Sequence, residues 1–118
     1  MKRRVLIVDD VADIRLMLRY IIEKGDYQVV AEAANGVEAV EMYREHLPDV
    51  TIMDIDMPFK SGVQAAREIR EMDSAARIVF CSGGIGRYEQ ALDEITLDGN
   101  RVIKKPFLPA QLYQAMAF

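Results

Sequence analysis

Val50-Thr51-Ile52-Met53-Asp54-Ile55-Asp56-Met57-Pro58 is the stretch whose reading decides the fold. An apolar run, Val50 to Met53, delivers a carboxylate at its end, and Met57-Pro58 turns the chain. Such a run fits a strand buried on both faces. In an open parallel sheet, ligands bind outside the carboxyl ends of the strands. Asp54 therefore stands where that architecture does its chemistry. A second run, Val5-Leu6-Ile7-Val8, ends the same way in Asp9-Asp10. Three acids at one sheet edge, with no cation beside them in sequence, ask for a divalent metal.

Outward from these two runs the chain alternates. Arg4–Val8, Tyr27–Ala33, Val50–Met53, Arg77–Cys81 and Arg101–Lys104 read as strands. Between and after them, apolar residues recur at helical spacing. They are Ile14, Met17, Leu18, Ile21 and Ile22; Val37, Val40, Tyr43 and Leu47; Val63, Ala66, Ile69 and Met72; Tyr88, Ala91, Leu92 and Ile95; and Leu108, Leu112, Ala115 and Met116. Asp10 or Asp13 could cap the first helix, Gly25 stops it, Pro48 ends the second, and Pro109 opens the fifth. Five β-α units predict a parallel sheet with five helices on both faces. Right-handed crossovers leave few topologies. The flavodoxin-like order 2-1-3-4-5 is the natural one.

The composition bounds the rest. A chain of 118 residues is one domain, expected to span 1–118. The net charge of −4 makes nucleic acid an unexpected partner. No apolar segment approaches a membrane span. Asp9-Asp10 interrupts the first apolar run too early for a secretory signal, so a cytoplasmic monomer is expected. Cys81, the single cysteine, closes an apolar strand and is expected to be buried and inert. His46 reads as a helix-end residue, and the methionines at 17, 42, 53, 57, 72 and 116 as core filler.

In the order 2-1-3-4-5, strands 1, 3, 4 and 5 are adjacent. Asp9-Asp10, Asp54, Ser82 and Lys104-Lys105-Pro106 follow them. A carboxylate can carry a phosphoryl group as an aspartyl phosphate. Phosphoryl transfer needs positioning and charge neutralisation. Mg²⁺ binds few carboxylates and phosphoryl oxygens, a lysine gives phosphate a point charge, and a serine hydroxyl donates to it.

These pieces, together with Asn35-Gly36, Met57-Pro58, Gly62, Ser82-Gly83 and Lys105-Pro106-Phe107, resemble the receiver domain of two-component response regulators. The resemblance runs over essentially the whole chain and is strongest to the short chemotaxis-type members. It implies that Asp54 accepts a phosphoryl group from a phosphohistidine on a sensor histidine kinase. It implies Mg²⁺ on Asp10 and Asp54, on Asp9 mostly through water, and on the backbone carbonyl of Asp56. Ser82 and Lys105 would contact the phosphoryl group, and the Lys105–Pro106 peptide would be cis. Lys104 would point to the opposite side of its strand. The output face would be helix 4, strand 5 and helix 5, read by a downstream protein. On this reading the chain is no enzyme beyond its own phosphorylation and dephosphorylation.

Three departures fall on the output side. Gly83, with Gly84 and Gly86 close by, replaces the usual alanine. Val102 stands where an aromatic switch residue is common. Asp98-Gly99-Asn100 replaces a Gly-Ala pair. Read-out is therefore expected from remodelling around Gly83 and Gly84, since Val102 is stiff at χ1 and has only methyls to swing. Two other readings stand beside this one. The chain is a receiver cut from a longer DNA-binding regulator, or Asp54-Ile55-Asp56 is the Asp-x-Asp of a haloacid-dehalogenase-like phosphatase. The second lacks a cap insertion and has its acidic pair on strand 1.

Overall fold

The computed structural model describes residues 2–83 and 99–118. The expected fourth helix, with Gly84 and Gly86, lies outside the described residues. β1 (Arg3–Val8), β2 (Tyr27–Ala33), β3 (Val50–Asp54), β4 (Ile78–Ser82) and β5 (Arg101–Lys104) form one parallel sheet in the order β2-β1-β3-β4-β5. Four helices accompany it among the described residues: α1 (Ala12–Lys24), α2 (Gly36–His46), α3 (Gly62–Met72) and a C-terminal helix (Pro109–Met116). The fold is flavodoxin-like.

Strand alternation sorts the core into two layers. Leu6, Val8, Met53, Ile78 and Phe80 face one layer with Ala39, Tyr43, Val63 and Ile69 of α2 and α3. Val5, Ile7, Val50, Ile52, Val79 and Cys81 face the other with Leu18 and Ile22 of α1 and Leu112 and Met116 of the C-terminal helix. Strands buried on both faces read as unbroken apolar runs, which is why β1, β3 and β4 are so visible in the sequence.

Local chemistry sets the helix ends. Asn35 accepts from Glu38 N–H, and Ser61 and Gln64 form a reciprocal capping box at the start of α3. Neither Asp10 nor Asp13 caps α1. Val11 holds the N-cap position without a side-chain bond, and Asp13 sits in the first turn, where the helix dipole favours it. Gly25 ends α1, its N–H on Ile22 O. Leu47 ends α2 in the left-handed region and is exposed, as is Val37. Both were expected on the apolar face of α2; Val40 and Tyr43 supply its core contacts instead. Of the methionines, Met53, Met57 and Met116 are buried, whereas Met17 and Met72 are exposed.

Two glycines allow close backbone approach. A Cβ on Gly36 would lie 2.2 Å from Lys60 O, and one on Gly62 would lie 2.0 Å from Asp54 O. Gly36 N–H donates to Lys60 O (3.1 Å) and Gly62 N–H to Ile55 O (2.8 Å). The loop after β3 is thereby held from α2 and α3 together. Helix propensity alone makes Gly62→Ala stabilising by about 1 kcal/mol. The contact with Asp54 O reverses that sign. We expect Gly62→Ala to lose about 1–3 kcal/mol in urea unfolding; a gain in stability would show that the close approach does not exist.

Candidate functional site

Side-chain parity assembles the site. In β1, Val5 and Ile7 point to the α1 side of the sheet, and Asp9 continues that row. Val50 and Ile52 lead in the same way to Asp54, and Ile103 leads to Lys105. β1, β3, β4 and β5 are neighbours in that order, in register Val8↔Met53, Asp54↔Cys81 and Cys81↔Ile103. The three charges therefore meet at the carboxyl edge of the sheet. Lys104, one residue earlier, is exposed, as its parity requires.

Lys105 Nζ lies 3.2 Å from Asp9 Oδ2 and 3.4 Å from Asp54 Oδ1. Asp9 is 2% exposed, and its Oδ1 accepts the Val11 N–H (2.9 Å). Asp54 Oδ1 also accepts the Ile55 N–H (2.9 Å). Both Asp54 bonds fall on one oxygen, so Oδ2 carries neither. Asp10 is exposed beside them. One carboxylate oxygen from each of Asp9, Asp10 and Asp54 lies within 4.8 Å of the others. An octahedral Mg²⁺ holds adjacent ligands about 3 Å and opposite ones about 4 Å apart. The hard oxygen donors and their spacing fit such an ion after small side-chain rotations. Asp56 is exposed in the loop held by Gly36 and Gly62.

Burial raises the Asp54 carboxyl to about 6, with Lys105 opposing the shift and Asp9 adding to it. Burial alone would lower the Lys105 ammonium; Asp54 and Asp9 outweigh it and hold the group above the ordinary lysine value. Burial pushes the Cys81 thiol up to about 12, as expected of a packing residue. Ser82 is half-buried at the end of β4, and its carbonyl accepts the Lys105 N–H (2.8 Å), tying the ends of β4 and β5 together. The Lys105–Pro106 peptide is cis.

The read-out residues are placed in part. Gly83 is exposed, and among the described residues a Cβ there would meet only Lys105 Cδ, at 3.6 Å. Val102 is partly buried against the layer containing Phe80. Gly84 lies outside the described residues. Asn100, in the unusual Asp98-Gly99-Asn100 stretch, is buried, with Oδ1 accepting from Arg70 Nε (3.1 Å) and Nη2 (2.5 Å).

Sequence reasoning missed one group. Arg15 Nη1 donates to the Asp9 carbonyl (2.7 Å) and Nε to Glu32 Oε1 (3.2 Å). A lone arginine on a charged helix gives no sequence signal of such a bond.

The response regulator receiver domain model matches residues 5–117. The chain belongs to the response regulator receiver domain family. Its curated relatives include the chemotaxis protein CheY of Bacillus subtilis, 43% identical over 98% of this chain and 96% of the relative. CheY of Thermotoga maritima is 44% identical with the same coverage. Among solved structures, the CheX-CheY-BeF₃-Mg²⁺ complex from Borrelia burgdorferi superposes with a TM-score of 0.88 at 31% identity, over 96% of this chain and 85% of that one. The response regulator domain of Thermotoga maritima CheB gives 0.84 at 32% identity, over 100% and 98%. No helix among the described residues of this receiver domain is long and apolar enough to cross a membrane.

The raised Asp54 carboxyl has a consequence for metal-free stability. Between the ordinary value of 3.8 and the folded value of about 6, the folded receiver domain binds a proton that the unfolded chain releases. Stability therefore falls as pH rises through this window. Asp54→Asn removes the cost. In EDTA at pH 7 we expect the variant to be more stable than wild type by about 1–3 kcal/mol, with the gain fading toward pH 4. A gain independent of pH would refute the assignment of the shift to Asp54.

Proposed function

We propose that this receiver domain is a phosphorylation-controlled switch in which Asp54 takes a phosphoryl group from a phosphohistidine on a sensor kinase. The observation that carries the proposal is the meeting of Asp9, Asp10 and Asp54 with the Lys105 ammonium at one sheet edge. An Asp54 oxygen attacks phosphorus, a P–O bond forms, and the P–N bond to the donor imidazole breaks with its electron pair leaving on nitrogen. Hydrolysis of the acyl phosphate returns the carboxylate and inorganic phosphate. Asp9, Asp10, Asp54 and the carbonyl of Asp56 would hold Mg²⁺, which would supply charge neutralisation for the phosphoryl oxygens. Lys105 holds Asp54 ionised and in place, then meets the phosphoryl charge; Ser82 donates to a phosphoryl oxygen. The domain acts on no external metabolite.

We read the switch as acting in motility control, in the cytoplasm, with a downstream protein as reader; its likeness to relatives named as chemotaxis proteins supports that reading. The Borrelia burgdorferi structure joins CheY to CheX with BeF₃ and Mg²⁺; beryllofluoride pull-down is thus a direct way to capture the reader of this chain.

Acetyl phosphate with Mg²⁺ should add one phosphoryl group, seen by intact mass. Asp54→Asn should abolish it, because an amide cannot attack; wild-type labelling of that variant would rule Asp54 out.

Read-out is carried by the segment entered at Ser82-Gly83. Among the described residues, nothing around Gly83 forbids a side chain in this state. Gly83→Ala should therefore leave unphosphorylated stability within about 0.5 kcal/mol of wild type and leave labelling intact, yet change phosphorylation-dependent binding of the captured reader. Val102→Ala should change that binding little once its loss of packing is corrected for. The reverse pattern would put the switch at position 102.

A further inference from the structure

We infer that Arg15 is a positioning residue for the acidic pair, setting the geometry of Asp9 and Asp10 through the Asp9 carbonyl; this rests on the Mg²⁺ reading above. Asp9 C=O and Asp10 N–H belong to one planar peptide. Fixing the direction of that carbonyl fixes the peptide plane, and with it the origin of the Asp10 side chain. Asp10 is exposed, so packing does not hold it. Arg15 Nη1 does so from α1, by a charge-assisted bond of 2.7 Å.

Arg15 is itself aimed. Its Nε donates to Glu32 Oε1 (3.2 Å), and Glu32 Oε2 is held by Arg19 Nε (3.0 Å) and Nη2 (2.7 Å). Glu32 stands on β2, where it pairs with Ile7, two residues before Asp9. Arg15 is the member of this group that reaches past the helix–sheet ion pairs to the site. The reach needs a fork: one guanidinium edge on Glu32, another on the carbonyl. A lysine offers a single point and satisfies one partner at a time.

A residue that only joined α1 to β2 would act on stability alone. A positioning residue acts on the metal. The experiment is a thermal melt in rising Mg²⁺ for wild type, Arg15→Ala, Arg15→Lys and Arg19→Ala, with acetyl phosphate labelling alongside. Substitutions of groups that orient metal ligands weaken metal binding about 10–100-fold. We expect the Mg²⁺ concentration for half the melting shift to rise about tenfold or more in Arg15→Ala, and by less in Arg15→Lys. It should stay at the wild-type value in Arg19→Ala, which loses contacts to the same Glu32 without touching Asp9. Saturating Mg²⁺ should restore labelling of both Arg15 variants, since Asp54 is intact. Equal Mg²⁺ dependence in wild type and the Arg15 variants would overturn the inference while leaving the metal reading standing. Absence of any Mg²⁺ shift in wild type would overturn the metal reading and this inference with it. Should Arg15→Ala fail to fold, Arg15→Lys against Arg19→Ala decides.

Discussion

Lys105 stands between Asp9 and Asp54, one ammonium against two carboxylates at the edge of a dry sheet. Burial first, and the neighbouring Asp9 charge second, disfavour ionisation of the Asp54 carboxyl against the pull of Lys105. The surroundings all serve this arrangement. Strand parity brings the three groups to one side. Val11 and Ile55 N–H groups hold Asp9 and Asp54. The Lys105 backbone is tied to Ser82. Among the described residues, what remains uncompensated is negative charge facing solvent with Asp10, the charge that a bound cation would offset.

The same parity explains what could be read from the sequence. β1, β3 and β4 are buried on both faces, so each shows as an apolar run, and the residue that breaks the run is the one delivered to the shared sheet edge. Asp54 and Asp9-Asp10 were visible for that reason. Lys105 was separable from Lys104 by its place before Pro106, and the alternation of a strand agrees with the choice. The assembly of the sheet followed from five β-α units and the handedness of crossovers.

Other features lay beyond sequence patterns for definite reasons. Helix periodicity counts every apolar residue on a face, so it enrolled Val37, Leu47, Met17 and Met72, which the helix ends and rims leave exposed. An Asp near a helix start is a good cap in principle, but Val11 takes the N-cap position, leaving Asp10 just before it and Asp13 inside the first turn. Gly36 and Gly62 looked like punctuation; their role is steric and involves carbonyls distant in sequence or across a loop. Arg15 acts on a backbone carbonyl, a group every residue has, so no pairing of residue types could point to it.

Among the described residues, the two sides of the site are braced unequally. On one side, α3 begins hard against the Asp54 carbonyl, Gly36 and Gly62 bind the loop after β3, and Ser61 and Gln64 lock the helix entrance. On the other, the ends of β4 and β5 meet through the bond between Lys105 N–H and the Ser82 carbonyl. A group added to Asp54 therefore presses against an anvil. If Asp54 is phosphorylated as proposed, retreat of β3 would not absorb the added bulk and charge, and the displacement would go across the sheet toward Ser82 and Lys105. On the proposed switch, the fold would work as a mechanical rectifier, giving a covalent event at its centre a single direction in which to be felt.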